Sequence, residues 1–523
     1  MSTTPPDLPS DPQSVASAPA DVPSAAGDPP AGRGRGHRRI GLPRQRRALA
    51  VTAIAVLAGS LVVTALNASA SPLAAPEDAG RAGGCVQQGG PGQPGQNTPA
   101  PTSVSTVEQA YHCVLDHYYG GSRLDDRTLL QGAFQAVVRE LRKRGVDRPV
   151  AVLPALTGDH DKDWPLFARR LQEVLDAVPD DASLRSALCV TAIQGLLAAL
   201  HDNHAGYAPG GPGTQDAHPW GLGVTLNRTL PAAETAPDFT GPLFLTAVAA
   251  GTPAAAAGLR PGDVVESVNG VPVFTGGQLN PGVVDLLHPA YPQRTPVTLT
   301  VRRPSTGRTR HVRVTPGELP AQPRPHVTAT LVAGGVADIR LDAFAPGVAQ
   351  EVLKAITDLR ATTELTGVVL DLRGNHGGVA AEGNTLLGAF VHDAAPVSFC
   401  DAEGDCVPQP VDNSTPLLHL RMATLTDDGC ASACEVFAAG VKDLRLGTLV
   451  GTRTAGVNSG PAYLYQLGDG TLIRMPSQHA VSANGELTDG VGVPPDVYAP
   501  LTAADLSAGK DPALARATAL LPS

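Results

Sequence analysis

Asp427-Asp428-Gly429-Cys430-Ala431-Ser432-Ala433-Cys434-Glu435 lies between an apolar, strand-like run (417–426) and a helix-like run (436–444). A serine at a strand-to-helix junction projects its hydroxyl from a tight turn. The first backbone N–H groups of the helix have no intrahelical acceptor, so they point toward whatever the hydroxyl attacks and can form half of an oxyanion hole. Ser432 also fits the commoner role of a serine at a helix start, the N-cap. Taken alone, the segment favours the cap; the rest of the chain decides between the two.

Composition narrows the options. The chain has 523 residues, enough for two or three domains. With 39 basic and 49 acidic residues its net charge is -10, which leaves no basic field for nucleic acid. Glycine (57) and proline (49) are abundant and aromatics make up only 4%, so part of the chain is expected to stay unpacked. Residues 1–47 read as a disordered, basic cytoplasmic tail that ends in an arginine cluster.

The uncharged run 48–66 follows, close to the ~20 residues that cross a bilayer. The arginines before it keep the N-terminus cytoplasmic, and Ala68-Ser69-Ala70 offers a small-residue cleavage site. It reads as a transmembrane anchor or as a cleaved signal. The expected location is therefore the cell membrane with the catalytic domains outside the cytoplasm, or secretion. The seven cysteines agree with export. Cys400 and Cys406 bracket a polar loop and suit a local disulfide. Cys430 and Cys434 flank Ser432, at a spacing that a regular helix makes awkward to bridge. An odd count leaves one thiol over.

Residues 67–103 form a Gly/Pro-rich linker. Helical apolar spacing across 104–215 predicts a small helical domain that includes His201-Asp202-Asn203-His204. Residues 216–316 alternate in β fashion. Gly221-Leu222-Gly223-Val224, then an Ala-rich helix, Gly258-Leu259-Arg260-Pro261-Gly262-Asp263 and Asn269-Gly270 resemble a PDZ domain of bacterial proteases. Such a glycine-rich loop holds a peptide carboxylate beside an open strand edge. Residues 325–505 alternate strands and helices, an α/β layered core, and 506–523 read as a C-terminal tail.

The strand 367–372 runs into Asp371-Leu372-Arg373-Gly374-Asn375-His376-Gly377-Gly378, a turn whose amides can face a ligand. Joined to the Ser432 segment, the PDZ region and Gly492-Val493-Pro494-Pro495-Asp496, it resembles the C-terminal-processing and tricorn-type serine peptidases. The resemblance implies an α/β crotonase-like (ClpP-like) core preceded by the helical and PDZ domains. It places the nucleophile at Ser432, one oxyanion amide at Ala433 and the other in the Gly377-Gly378 turn.

One departure is chemical. Where Ser/Lys members carry the lysine this chain has Val457, and no lysine lies between Lys442 and Lys510. A serine nucleophile still needs a base. The Ser/His branch implies His204 as that base and Asp489 as the carboxylate that orients it through Asn203, with Glu486 as the second choice. His376 is an alternative base. An HxxH zinc pair, His201 with His204, lacks helical i,i+4 spacing and a third ligand, so no metal or cofactor is expected. Two functions remain: an exported serine endopeptidase acting on unfolded or C-terminal polypeptide segments, or an inactive relative that binds peptides as an envelope adaptor.

Overall fold

The computed structural model describes residues 84–88, 100–208, 219–227, 241–289, 291–320 and 326–521. The expected tail, the 48–66 segment and most of the linker lie outside them. Among the described residues no helix is long and apolar enough to cross a membrane.

Four helices, α1 (Val104–His117), α2 (Asp126–Lys143), α3 (His160–Ala177) and α4 (Ala182–Ala198), bury one apolar face each. Asp125, Asp159 and Asp181 cap α2, α3 and α4 by accepting backbone N–H bonds in the first turn. Their shared core includes Tyr111, Phe167, Leu171 and Leu196, all fully buried. It also takes in Tyr465, Leu467, Ile473 and Met475 from a β-hairpin more than 250 residues downstream. That hairpin pairs on one side with Val86–Gln87 and on the other with Gly206–Ala208, just after α4. A disulfide, Cys85–Cys113, joins the first of these strands to α1.

The β-rich region keeps its own core, centred on Leu243, Leu245, Val265, Val268, Leu299 and Val312. Its longest pairing is the antiparallel hairpin Val297–Arg303 with Arg308–Val314. The α/β region is built on a six-stranded sheet. In spatial order its strands are Val327–Val332, Val336–Leu341, Gly367–Asp371, Arg421–Thr426, Gly447–Gly451 and Val497–Tyr498, all parallel except the first pair. Gly367–Asp371 is buried throughout, as a central parallel strand covered on both faces must be. One face carries α5 (Val348–Arg360), α6 (Ala380–Gly388) and α7 (Ala433–Asp443).

The opposite face is covered by α8 (Pro512–Ala519), through Ala513 and Ala517, and by Leu521 just beyond the helix. Residues 506–523, expected as a tail, thus include a packed helix; alanines recurring at four-residue spacing make an apolar stripe too narrow to stand out in sequence. The expected strand 417–426 is shorter, Arg421–Thr426, because Leu418 and Leu420 pack against the core without joining the ladder.

Arg373 fastens α8 to the sheet: its guanidinium donates to Asp371 Oδ2 at 2.7 Å and to Asp511 Oδ2 at 2.7 Å. Asp371 is 4% exposed, and these donors hold its carboxyl below the usual range despite burial. Arg373→Ala should therefore lower stability by about 2 kcal/mol, since the buried carboxylate keeps only the Arg340 guanidinium at 3.2 Å, read as a drop in thermal midpoint. Asp338 is the opposite case: burial, then the charge of Asp371, pushes it from 3.8 up to about 6. A folded-state pKa above the unfolded one means stability is lost as pH rises between those values. Asp338→Asn should raise stability above pH 6 by on the order of 1 kcal/mol, allowing for its partial exposure, read as a higher thermal midpoint, and do little below pH 4.

Candidate active site

Ser432 occupies the N-cap position of α7, but with φ 58° and ψ −123° it lacks the extended geometry of an ordinary cap. Such a conformation in a non-glycine residue must be held by its surroundings, and three groups hold it. The Ser432 N–H donates to Val457 O at 2.7 Å. Glu435, fully buried, accepts from the Ser432, Gly456 and Val457 amides and from Thr454 Oγ1, which pins the 454–457 loop to the turn. The Cys430–Cys434 disulfide spans the turn with a Cα–Cα distance of 5.4 Å. The spacing that looked awkward is bridged because Cys430 lies before the helix begins. Cys400–Cys406 is also bridged, and Cys189 is the free, buried thiol among the described cysteines.

The glycine turn packs directly beneath. A Cβ at Gly377 would lie 2.5 Å from Ala431 O and 2.8 Å from Ala433 N, so only glycine fits. Fully buried Asn375 joins the two loops: its Nδ2 donates to Leu341 O, its Oδ1 accepts from Gly377 N, and its O accepts from Ala431 N. The Gly377 amide is thereby occupied. The Ala433 and Gly378 amides donate to no acceptor among the described residues, and both residues line the cavity that contains Ser432. Of the two glycines expected to supply an oxyanion donor, Gly378 is the one with a free N–H.

His204 reaches this cavity from the loop after α4. Its Nε2 lies 3.3 Å from Ser432 Oγ and its Nδ1 lies 3.0 Å from Ser459 Oγ. Ser459 spends its single proton on Asp202 Oδ1 at 2.7 Å, so it must accept from Nδ1–H. That fixes the neutral tautomer, with Nε2 bare toward Ser432. Asp202 is 2% exposed and accepts two further bonds: Oδ1 also accepts the His204 amide, and Oδ2 accepts Tyr118 Oη–H. Burial pushes the His204 imidazole below its usual value; the nearby Arg474 charge adds to this and the Asp202 charge opposes it.

Asp489, expected to orient the histidine, does not touch it. Its Oδ1 accepts the Asn458 amide at 2.8 Å and its Oδ2 accepts Tyr119 Oη–H at 3.4 Å. The hydroxyl intermediary is Ser459 rather than Asn203, and the carboxylate behind it is Asp202. Nothing in the local sequence marks Ser459, because its partner lies 257 residues away. His376 is exposed and lines the cavity, but the imidazole hydrogen-bonded to Ser432 is that of His204. Val457 serves the turn through its backbone, as above.

The cavity measures about 550 Å³, with Phe399, Val436, Pro461 and Leu464 among its walls. In the glycine-rich loop, Gly221 pairs with Gly317 and Val224 with Val248. The Leu222 and Gly223 amides donate to no acceptor among the described residues.

Residues 335–499 match the model of peptidase family S41, and residues 244–303 match a PDZ domain. A carboxy-terminal processing protease, CtpB, of Bacillus subtilis (strain 168) is 25% identical over 67% of this chain and 72% of its own length. A carboxy-terminal-processing protease of Bartonella bacilliformis is 27% identical over 47% of this chain. That match spans 56% of the Bartonella protein, so the chain covers little more than half of it. Among solved structures, a photosystem II D1 C-terminal processing protease aligns with 80% of this chain and 97% of its own, at 22% identity and a TM-score of 0.49. Residues 335–499, which carry the serine-bearing turn, are thus similar to peptidase family S41, and residues 244–303 to a PDZ domain, the pairing that accompanies similarity to carboxy-terminal processing proteases.

Proposed function

We propose that the chain is an exported serine endopeptidase that cleaves unfolded or C-terminal segments of extracytoplasmic proteins by Ser/His catalysis. The carrying observation is the 3.3 Å approach of His204 Nε2 to Ser432 Oγ, with Nδ1 already committed to Ser459. Ser432 Oγ attacks the scissile carbonyl carbon while Nε2 takes the hydroxyl proton. The tetrahedral oxyanion accepts from the Ala433 and Gly378 amides. The imidazolium, stabilised by Asp202 through Ser459, returns the proton to the leaving amine. Water then hydrolyses the acyl-enzyme with the same groups in reverse order.

The free Leu222 and Gly223 amides support capture of a peptide carboxylate by the PDZ domain. Three disulfides support an oxidising compartment, with 48–66 as anchor or cleaved signal. The parallel sheet clothed on both faces supports a crotonase-like core.

With the full chain acting on casein or tailed peptides, Ser432→Ala and His204→Ala should each lose activity about 1,000-fold or more. A fluorophosphonate should label the wild type and not Ser432→Ala. An unlabelled wild type that still binds peptides would mark an inactive adaptor instead.

His204 must be neutral to act, and its pKa lies below the usual 6.5. The kcat/KM profile should rise with pH through one ionisation below about 6.5 and level off by neutrality. Asp202→Asn should move that ionisation still lower, since the imidazolium loses its nearest negative charge, and slow the rate roughly 100-fold or more. A profile that rises only above about pH 8.5, beyond the ordinary histidine range, would remove His204 as the base.

A further inference from the structure

Arg474 lies on the inner strand Leu472–Pro476, paired with Leu464 on one side and Gly206 on the other, so its backbone is fixed from both flanks. Its Nε donates to His204 O at 3.0 Å, which orients the guanidinium beside the base. Nothing else holds it: neither Nη has a hydrogen-bond acceptor, and no carboxylate pairs with it among the described residues. The side chain is exposed and lines the cavity that contains Ser432. No aspartate or glutamate lines that cavity, and its other walls are mostly apolar.

A planar guanidinium pinned at one nitrogen, with two N–H-bearing ends free, matches the two oxygens of a carboxylate. Apolar walls strengthen such a pairing by lowering the local dielectric. A structural arginine would normally spend its remaining donors on carbonyls or acidic neighbours; this one keeps them for an incoming group.

We infer that Arg474 selects substrates by binding a carboxylate of the polypeptide in the catalytic cavity, either an acidic side chain near the cut or the chain's own C-terminus. The inference rests on the peptidase reading above, which makes the cavity a polypeptide site. It adds a charge requirement at the cut that is separate from carboxylate capture by the PDZ loop.

The test uses the full chain and quenched-fluorescent peptides of one apolar sequence. In one arm a single Glu or Gln walks through successive positions with the C-terminus amidated; in the other the Gln-free apolar peptide ends in a free acid or an amide. The wild type should prefer one Glu position over its Gln twin, or the free acid over the amide, by roughly 10- to 100-fold in kcat/KM. The responding arm identifies the source of the carboxylate. In Arg474→Gln the preference ratio should fall to about one, and Arg474→Lys should retain part of it. A wild type with no preference in either arm, or a preference that survives Arg474→Gln, overturns the inference.

Failure of the peptidase reading would appear separately, as no cleavage of any peptide by the wild type. In that event fluorescence anisotropy of the same pairs decides the question without turnover, comparing Ser432→Ala with Ser432→Ala/Arg474→Gln. Both proteins keep the PDZ loop, so a carboxylate preference in the first that disappears in the second belongs to Arg474. Equal preference in the two removes it.

Discussion

The site exists because a hairpin that follows the Ser432 segment in the chain is buried in the helical core that carries His204. His204 and Ser432 are 228 residues apart in sequence and belong to different layers. They meet because Tyr465, Leu467, Ile473 and Met475 of the hairpin are buried in the helical core. At roughly 1.5–3 kcal/mol for each fully buried side chain, four such residues outweigh the ~1–3 kcal/mol stored in one strained backbone conformation. Docking can therefore hold the Ser432 turn in a shape that an isolated peptide would relax. The same hairpin carries Arg474, and Gly206–Ala208 pairs with it immediately after His204, so the loop bearing His204 is tied to the hairpin.

Much of this was legible in sequence, and what was not has a common cause. Ser432, Ala433 and the glycine turn announce themselves through residue type and order, because close backbone approach leaves few options. His204 stands out once lysine is absent. The sequence points to Asp489, a carboxylate in a recognisable segment, as the group behind it, yet that carboxylate is engaged by the Asn458 amide and Tyr119. Asp202 was in view two residues from His204, but its use depends on Ser459, which arrives from a loop that no local pattern connects to it. Periodicity reports which face of an element is buried. It does not report which two loops will meet.

The Val457 position shapes the turn through its backbone alone. What the turn requires there is the carbonyl that receives the Ser432 amide and the N–H that reaches Glu435. Both belong to the backbone, so any residue able to adopt the conformation supplies them. Glu435 is the less replaceable partner: four donors converge on its buried carboxylate, and their hydrogen bonds counter the upward push of burial on its pKa.

The disulfides divide two kinds of work according to the loops they close. In the chain-entropy description, the 28-residue separation of Cys85 and Cys113 is worth ~3–4 kcal/mol against the unfolded chain, while a bridge across four residues restricts that chain only by ~2 kcal/mol. The longer bridge therefore chiefly resists melting, by tying the first strand of the shared sheet to α1. The shorter one, between two fully buried cysteines, chiefly sets shape. Thermal resistance and the competence of the serine turn consequently answer to different covalent bonds, so a molecule can stay folded while the turn around Ser432 has lost its clamp.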